Sequence, residues 1–215
     1  MSQVLTLEGE VVPVGTVFCI ARNHFAHAVE LGNEPPTEPL VFLKSSHALR
    51  PLRGGAVAFP DETFHYEAEL VLLIGRSLAL GDAPGWSGVR AVSLGIDLTR
   101  RGVQDELKRR GLPWTTAKSF TGAAPVGPFL ALSSFADPDR ISFSFDVDGV
   151  RRQQGRADQM SFGVPDLLRW LLTFTALGPG DLVFTGTPAG VGDIRVGQRF
   201  VLRFDDLSLE LPGTL

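Results

Sequence analysis

Apolar residues fall into short runs along the whole chain, and glycines and prolines separate these runs. Short apolar or alternating runs that end at Gly or Pro are typical of strands joined by turns. We therefore predict strands at VLTLEG, TVFCIA, PLVFLK, AVAF, YEAELVLLI, VRAVSLGIDL, ISFSFDV, DLVFTG, RFVLRF and LSLEL. In FDVDGVRR an Asp-Gly pair divides two apolar or basic runs, which predicts a β-hairpin.

Three segments have the patterning of helices. The first is NHFAHAVELG, with Asn23 as a candidate N-cap and Gly32 just past its end. The second is RRGVQDELKRRG, which is basic in its last turn and is closed by Gly111. The third runs from Val164 to Leu177 and is apolar over much of its surface, which predicts packing on a sheet. Strands outnumber helices and do not alternate strictly with them, so we predict a mainly-β α+β fold.

The segment His65–Gly75 reads as a strand, yet Glu67 and Glu69 interrupt it two residues apart. Side chains alternate along a strand, so both acids share a face with Val71 and Leu73. One interpretation is a solvent-facing strand edge. The other is a divalent cation site, because buried carboxylates without a partner are costly and α-carbons about 7 Å apart let both acids reach one ion. Oxygen ligands favour Mg²⁺, Mn²⁺ or Ca²⁺ over zinc.

Asp97 stands at the end of the otherwise apolar run AVSLGID and is the candidate for a third oxygen ligand. Taken by itself, it reads better as the N-cap of the helix that follows. The presence of Glu67 and Glu69 makes the choice between the two interpretations a close one.

Two further polar features stand in the predicted helical and loop segments. His27 and Glu30 are three residues apart on the first predicted helix, so they form either a water-activating pair or part of a solvated face. Lys118 is the single charge in PWTTAKSFTGAAPVGP, and it is either a surface residue or a fixed cation for an enolate or a carboxylate.

The loop TGTPAGVG follows the strand run DLVF. It lacks the Gly-Lys-Ser/Thr ending of a phosphate-binding P-loop and the spacing G-x-G-x-x-G, which argues against a nucleotide site. It reads either as a turn with several positive-φ positions or as a loop whose N–H groups and Thr187 hydroxyl hold an anion.

Composition limits the class of protein further. The 215 residues, 44% hydrophobic and 20% charged, predict one folded domain over residues 1–215. A net charge of −4 argues against a nucleic-acid partner. Cys19 is the one cysteine, which excludes an intramolecular disulfide and fits a cytoplasmic location. We expect no signal peptide and no membrane association, since no apolar stretch approaches the ~20 residues of a spanning helix.

Taken together, the motifs resemble the fumarylacetoacetate hydrolase family. The segments that carry the resemblance cover nearly the whole chain in the family's order: ARNHFAHAVELGN, VFLKSS, HYEAEL, GIDLTRRGVQDELKRRGLPWTTAKSF and LGPGDLVFTGTPAGVG. The chain is most similar to the compact branch of acylpyruvate hydrolases and oxaloacetate decarboxylases. The resemblance implies layered, mixed β-sheets that form a β-roll or barrel around the active site, and a homodimer.

The resemblance also implies roles for individual residues. Mg²⁺, or Mn²⁺ in its place, would be held by Glu67, Glu69 and Asp97; Ca²⁺ stays possible from the oxygen ligands alone. His27 and Glu30 would activate water from a lid, and Lys118 would lie beside the metal. The positions that look like the family's substrate contacts are Arg22, Lys44, Arg101, Gln104 and Thr187.

The chain departs from the family pattern at four positions. Ile96 replaces the usual Asn before the metal-binding Asp, and Gly102 replaces the Asp that usually follows Arg101. Ala21 and His24 replace the more usual Gly and Tyr of the lid segment. Loss of the carboxylate at position 102 bears on the metal site, because residues that contact metal ligands tune metal affinity.

From these residues we expect cleavage of a carbon–carbon bond in a small dicarboxylic or 2,4-dioxo acid. Either acylpyruvate hydrolysis or oxaloacetate decarboxylation would pass through the pyruvate enolate, whose charge the metal and Lys118 would offset. Two alternatives are an isomerase or tautomerase that uses the same chelate, and a metabolite-binding relative without activity, which the changes at Ile96 and Gly102 suggest.

Overall fold

A computed structural model describes residues 4–7, 9–24 and 36–215. Within these ranges it contains three α-helices, namely α1 (Arg101–Arg109), α2 (Thr115–Lys118) and α3 (Val164–Leu171). It also contains sixteen strands: β1 (Val4–Leu7), β2 (Glu10–Pro13), β3 (Val17–Ala21), β4 (Leu40–Lys44), β5 (Leu49–Pro51), β6 (Thr63–Tyr66), β7 (Ala68–Ile74), β8 (Val89–Ile96), β9 (Ala124–Val126), β10 (Leu130–Ala131), β11 (Ser142–Val147), β12 (Val150–Arg156), β13 (Leu182–Phe184), β14 (Gly192–Arg195), β15 (Arg199–Phe204) and β16 (Leu209–Thr214).

The largest sheet has eight strands in the order β4-β3-β13-β7-β8-β9-β5, with β10 paired to β8. Its pairings are antiparallel except for β13 with β3 and β5 with β9, which makes it a mixed sheet. Strand β7 lies near its centre, and every one of its residues is buried. Burial on both faces explains why this part of the sequence is apolar without alternation.

A second sheet has four antiparallel strands in the order β12-β11-β15-β16. Its inward face supplies phenylalanines that pack against the remaining layers, including Phe143, Phe145, Phe200 and Phe204. The rings of Phe145 and Tyr66 lie 4.9 Å apart, so this sheet packs against the end of β6. The layered, mainly-β architecture predicted from the sequence is therefore confirmed.

The predicted hairpin is confirmed between β11 and β12. Its two turn residues, Asp148 and Gly149, have φ of 48° and 80°. Positive φ at both central positions is what a tight two-residue hairpin turn requires, and Asp-Gly meets that requirement at little steric cost.

The predicted strand AVAF, residues 56–59, is wrong because the chain there forms no strand. Gly55 before it and Phe59 at its end both have positive φ, at 84° and 61°, and a strand cannot continue through such residues. Several strands that the sequence analysis did not predict are only two to four residues long: β2, β5, β9, β10 and β14. Such short strands lack enough positions to show a period.

Helix α1 agrees with its prediction and is followed by Gly111 at φ 64°. Helix α3 ends at Leu171 rather than at the predicted Leu177, because Leu177 forms an extended bridge with Leu78. Its buried residues Val164, Leu167, Leu168 and Leu171 belong to the hydrophobic core, and the helix lies beside the 3-10 turn Gly85–Gly88. Among the described residues, no helix is long and apolar enough to span a membrane.

Candidate metal centre

Three carboxylates meet where two neighbouring strands of the large sheet end. Glu67 is the single residue between β6 and β7, and Glu69 lies opposite Gly95 of β8. The N–H of Asp97, directly after β8, donates to the carbonyl of Glu67 at 2.8 Å. One carboxylate oxygen from each of Glu67, Glu69 and Asp97 lies within 4.8 Å of the other two. The strand pairing therefore brings together the residues that the sequence analysis selected as metal ligands.

The three carboxylates of this acidic centre are buried, and cations pair with Glu67 and Asp97 but, among the described residues, not with Glu69. Glu69 is 2% exposed and accepts a hydrogen bond of 2.7 Å from the N–H of Gly186, while no described cation forms an ion pair with it. Burial, together with the charges of Asp97 and Glu67, raises the pKa of Glu69 well above its usual value. Three converging carboxylates with an uncompensated member fit a hard divalent cation, for which oxygen is the preferred ligand.

Lys118, in the last turn of α2, lies against two of the three acids. Its ammonium donates to Glu67 Oε2 at 2.8 Å, to Asp97 Oδ2 at 2.7 Å and to the Thr99 hydroxyl at 2.6 Å. Burial lowers the pKa of Lys118, but the charges of Asp97 and Glu67 outweigh it and raise the pKa above its usual value. The side chain is therefore a buried ammonium held by two carboxylates, and the alternative of a surface lysine is wrong.

Lys44, at the end of β4, contacts the same aspartate from its other side. Its ammonium lies 2.7 Å from Asp97 Oδ1 and is completely buried, and it also donates to the carbonyls of Lys118 and Ala123. Asp97 is thus held between two ammonium groups rather than at a helix terminus. The N-cap position of α1 is Arg100, so the interpretation of Asp97 as N-cap is wrong.

Helix α1 turns Arg101 and Gln104 toward the acids. The Arg101 guanidinium donates to Glu67 Oε1, to Gln104 Oε1 and to His65 Nδ1. Gly102 is exposed, and nothing lies within 4 Å of the position that its Cβ would occupy. The contacts that orient Arg101 therefore come from His65 and Gln104, and the open space at Gly102 could hold the carboxylate that is absent there.

A small crevice of about 30 Å³ opens beside the acidic centre. Its lining includes the predicted Arg22, Arg101, Gln104 and Thr187, together with two residues that the sequence analysis missed, Lys108 and Trp114. Arg101, Gln104 and Lys108 have the spacing i, i+3 and i+7, so the helical period alone places Lys108 on the same face. Burial and the charge of Arg101 lower the pKa of Lys108, which shows how closely the cations gather.

The loop after β13 supports the centre through its backbone. Gly186, at φ 99°, donates its N–H to Glu69, and a Cβ there would lie 2.7 Å from the Cβ of Asn23. The Thr187 hydroxyl donates to the carbonyl of Ala68 at 2.9 Å and accepts from Gln153. The predicted positive-φ turn is confirmed, and the anion that this loop holds in the structure is the side chain of Glu69.

The first predicted helix falls mostly in residues 25–35, outside the described part of the chain. His27 and Glu30 lie there, so their role in water activation stays a prediction. Asn23, at the edge of that gap, directs its side chain elsewhere: its amide donates to the carbonyls of Phe162 and Thr185, and its oxygen accepts from the N–H of Phe162.

The layered sheets and the buried acidic centre are features that can be compared with known protein families. The family model described as fumarylacetoacetate (FAA) hydrolase C-terminal matches residues 16–215. The chain therefore belongs to the fumarylacetoacetate hydrolase family and is an enzyme of that family.

Individual relatives resemble the chain over most of its length. It is 38% identical over 182 residues to the mitochondrial oxaloacetate tautomerase FAHD1 of Bos taurus, covering 83% of this chain and 82% of the relative. It is 35% identical over 201 residues to the oxaloacetate tautomerase YcgM of Escherichia coli, covering 92% and 91%. Because the bovine relative is mitochondrial, a cytoplasmic location for this chain stays a prediction.

The fold is also shared with solved structures. The crystal structure of fumarylpyruvate hydrolase from Pseudomonas aeruginosa, in complex with Mn²⁺ and pyruvate, matches with a TM-score of 0.90 and 35% identity, covering 99% of this chain and 95% of that one. A 5-carboxymethyl-2-hydroxymuconate delta-isomerase from Mycobacterium smegmatis matches with a TM-score of 0.76 and 28% identity, covering 95% and 82%.

Proposed function

We propose that this enzyme is a Mg²⁺-dependent hydrolase or lyase of 2,4-dioxo acids, acting through a pyruvate-type enolate. The observation that carries the proposal is the cluster of Glu67, Glu69 and Asp97 with the Lys118 ammonium bonded to two of them. Acylpyruvate hydrolysis and oxaloacetate decarboxylation both generate that enolate, so one site serves both reactions.

The three carboxylates would hold the cation. A bound Mg²⁺ supplies Lewis-acid chemistry, in that it favours negative charge on the oxygens of a 2-oxo acid. Mg²⁺ agrees with an all-oxygen donor set, and Mn²⁺ is supported by the complex of the Pseudomonas relative.

Lys118 has a separate task from that of the metal ligands. Its ammonium donates to two of the three carboxylates and to the Thr99 hydroxyl, which fixes it beside the proposed metal ligands. We assign to it the role of a fixed positive charge that stabilises the developing enolate, which needs no reorganisation during the reaction.

The carboxylate of the substrate needs a positively charged partner, and we assign that partner to the crevice beside the acidic centre. Arg22, Arg101 and Lys108 line that crevice, and Gln104 is available as a hydrogen-bond donor beside Arg101. Lys44 is too deeply buried in the structure to serve as a substrate contact of the same kind, so we assign it to fixing Asp97. Thr187 stays a proposed contact at the wall of the crevice.

For the hydrolytic reaction we propose His27 as the base and Glu30 as the group that orients it, as the family resemblance implies. His27 would take a proton from water, the resulting hydroxide would add to C4, and the C3–C4 bond would break with its electron pair passing to the pyruvate enolate. Protonation of C3 would then release pyruvate. Decarboxylation needs no water, so His27→Ala should reduce acylpyruvate hydrolysis about 10²-fold or more and decarboxylation much less. Equal losses in both assays would refute this assignment.

A second candidate is an oxaloacetate tautomerase, which the names of the bovine and E. coli relatives favour. Tautomerisation moves one proton between C3 and the enol oxygen and breaks no carbon–carbon bond. The acidic centre and Lys118 would serve it equally well, because the intermediate is again an enolate.

A turnover screen with Mg²⁺ separates the candidates. Acetylpyruvate, fumarylpyruvate, oxaloacetate and a hydroxymuconate-type diacid would be tested, with the release of pyruvate and the ultraviolet absorbance of the enol followed in parallel. Pyruvate release supports the hydrolase or lyase. Enol–keto interconversion without pyruvate release selects the tautomerase, and no conversion of any acid would refute both.

A further inference from the structure

A cavity with a volume of about 720 Å³ lies away from the acidic centre. It is bordered by β5 and the loop after it, by the end of β9 and by β16, and it shares no lining residue with the acidic crevice. Its size falls in the range of small-molecule sites, about 300–1,000 Å³. The cavity therefore has room for a ligand that the proposed function does not use.

Arg50 of β5 contributes to the wall of this cavity and is 6% exposed. Its guanidinium donates to the carbonyls of Gly54 and Thr214, at 2.5 and 3.1 Å, while its buried Nε has no hydrogen-bond partner. Within the described ranges, no carboxylate forms an ion pair with it. Arginine stays protonated at physiological pH, so this is a buried positive charge satisfied only by neutral carbonyls.

Unlike Arg50, the two buried lysines both form ion pairs. Lys44 and Lys118 each lie within 2.8 Å of at least one carboxylate. A buried ion that lacks an opposite charge destabilises the folded state, and an anionic ligand would offset that effect. The isolated charge of Arg50 therefore points to an anion that enters the cavity from outside.

The other walls of the cavity define the rest of the ligand. They are mostly apolar and come from Leu49, Leu52, Val126, Phe129, Leu211 and Pro212. Glu210 also lines the cavity, but Arg203 holds its carboxylate at 2.8 Å. His47 and the exposed Arg53 add further basic character to the lining. An apolar chamber with a basic wall suits a molecule with one anionic end and an apolar body.

We propose that this cavity binds a small organic acid, with its carboxylate at Arg50 and its apolar body against the leucine and phenylalanine walls. The site is separate from the catalytic one, so occupancy would not compete directly with a substrate at the acidic centre.

Isothermal titration calorimetry with octanoate tests the proposal. We expect saturable binding of one octanoate per chain, unchanged by adding or removing Mg²⁺, with octanol and inorganic phosphate each binding at least tenfold more weakly. Arg50→Met keeps much of the apolar stem and removes the charge, and it should weaken octanoate binding about tenfold or more. The matched variant Arg53→Met, at the same cavity but exposed, should change binding by less than threefold.

Three results would overturn the proposal. The first is the absence of saturable octanoate binding to the wild-type protein; if light scattering then also shows a change of oligomeric state when Arg50 is replaced, the cavity is an interface between copies. The second is binding of octanol as tight as that of octanoate. The third is an equal octanoate affinity in the Arg50→Met variant and the wild type. Circular dichroism of Arg50→Met, which should show a folded protein, excludes loss of structure as the cause of weakened binding.

Discussion

Two groups of buried acids in this molecule experience opposite electrostatic surroundings. In the four-stranded sheet, Asp146 lies at a β-bulge of β11 between Arg151 of β12 and Arg203 of β15, and both guanidiniums donate to it. Burial raises the pKa of Asp146, but these two bonds lower it more, so the net shift is downward. In the acidic centre, the pKa of Glu69 is raised well above its usual value.

The difference separates a closed ion network from an open one. Asp146 has two cations for one carboxylate, and Arg203 also pairs with Glu210, so the local charges are satisfied by the protein itself. The acidic centre directs three carboxylates at one point, and Glu69 has only a backbone N–H as partner among the described residues. A network that the chain completes stabilises the fold, whereas one that it leaves incomplete marks a site for an external ion.

The largest effect is expected at the acidic centre. Glu67→Ala removes a proposed ligand and one partner of Lys118, so turnover of acylpyruvates or oxaloacetate should fall by at least about 10³-fold and Mg²⁺ binding should be lost. Steady-state assays and calorimetric Mg²⁺ titration check both. The control is Glu10→Gln, which alters a surface pair with Arg90 and should leave both unchanged. Unchanged activity in Glu67→Ala would refute the metal site.

Replacing Lys118 separates charge stabilisation from metal binding. Lys118→Met should lower kcat by about 10²–10³-fold, because the enolate loses a fixed cation. Mg²⁺ should still bind, since no proposed ligand is removed. Glu67 keeps Arg101 and Asp97 keeps Lys44, so each carboxylate loses one of two cationic partners. The free energy of unfolding without metal should therefore fall by about 1–3 kcal/mol, and saturating Mg²⁺ should recover part of that loss. A kcat equal to that of the wild type would show that Lys118 has a structural role alone.

Replacing Asp146 in the closed ion network should change the stability of the protein and leave its activity unchanged. Asp146→Asn should reduce the free energy of unfolding by about 1–2 kcal/mol at pH 7, with kcat unchanged. The native pKa of Asp146 is lowered, so its contribution is fully present above the usual pKa of about 3.9 and is lost as the pH falls through the lowered value. Urea denaturation over a series of pH values from 7 downward, as far as both proteins stay folded, measures this. A difference between variant and wild type that does not shrink as the pH falls below about 3.9 would contradict the assignment.

The smallest effect is expected at the exposed Gly102 of α1. Because open space surrounds its Cβ position, Gly102→Ala should raise the free energy of unfolding by about 0.5 kcal/mol through helix propensity and leave Mg²⁺ affinity unchanged. Thermal denaturation and calorimetry check the two quantities. A tighter Mg²⁺ site in Gly102→Asp, but not in Gly102→Ala, would show that the missing carboxylate matters.

The alternation of side chains along the segment His65–Gly75 correctly predicted that its two glutamates lie on one side of the acidic centre. Glu67 and Glu69 lie close together, and Val71 and Leu73 are fully buried as expected, although the chain divides into β6 and β7 at Glu67. Asp97 lies beside the two glutamates because β7 pairs with β8. The apolar patterns of both strands made such a pairing plausible, but they did not determine its register.

Contacts between distant segments could not be predicted from the sequence. Nothing in the pattern around Lys44 indicates that its ammonium reaches Asp97, since sheet order and burial decide that contact. The two interpretations of Lys118 were separable only by its burial in the folded chain. Lys108, by contrast, could have been found from its helical spacing to Arg101 and Gln104.

The most direct test is a crystal structure of the protein with Mn²⁺, whose anomalous scattering locates the ion. We expect one strong peak within about 2.6 Å of an oxygen from each of Glu67, Glu69 and Asp97. Absence of a peak there, or a peak that omits these carboxylates, would contradict this expectation.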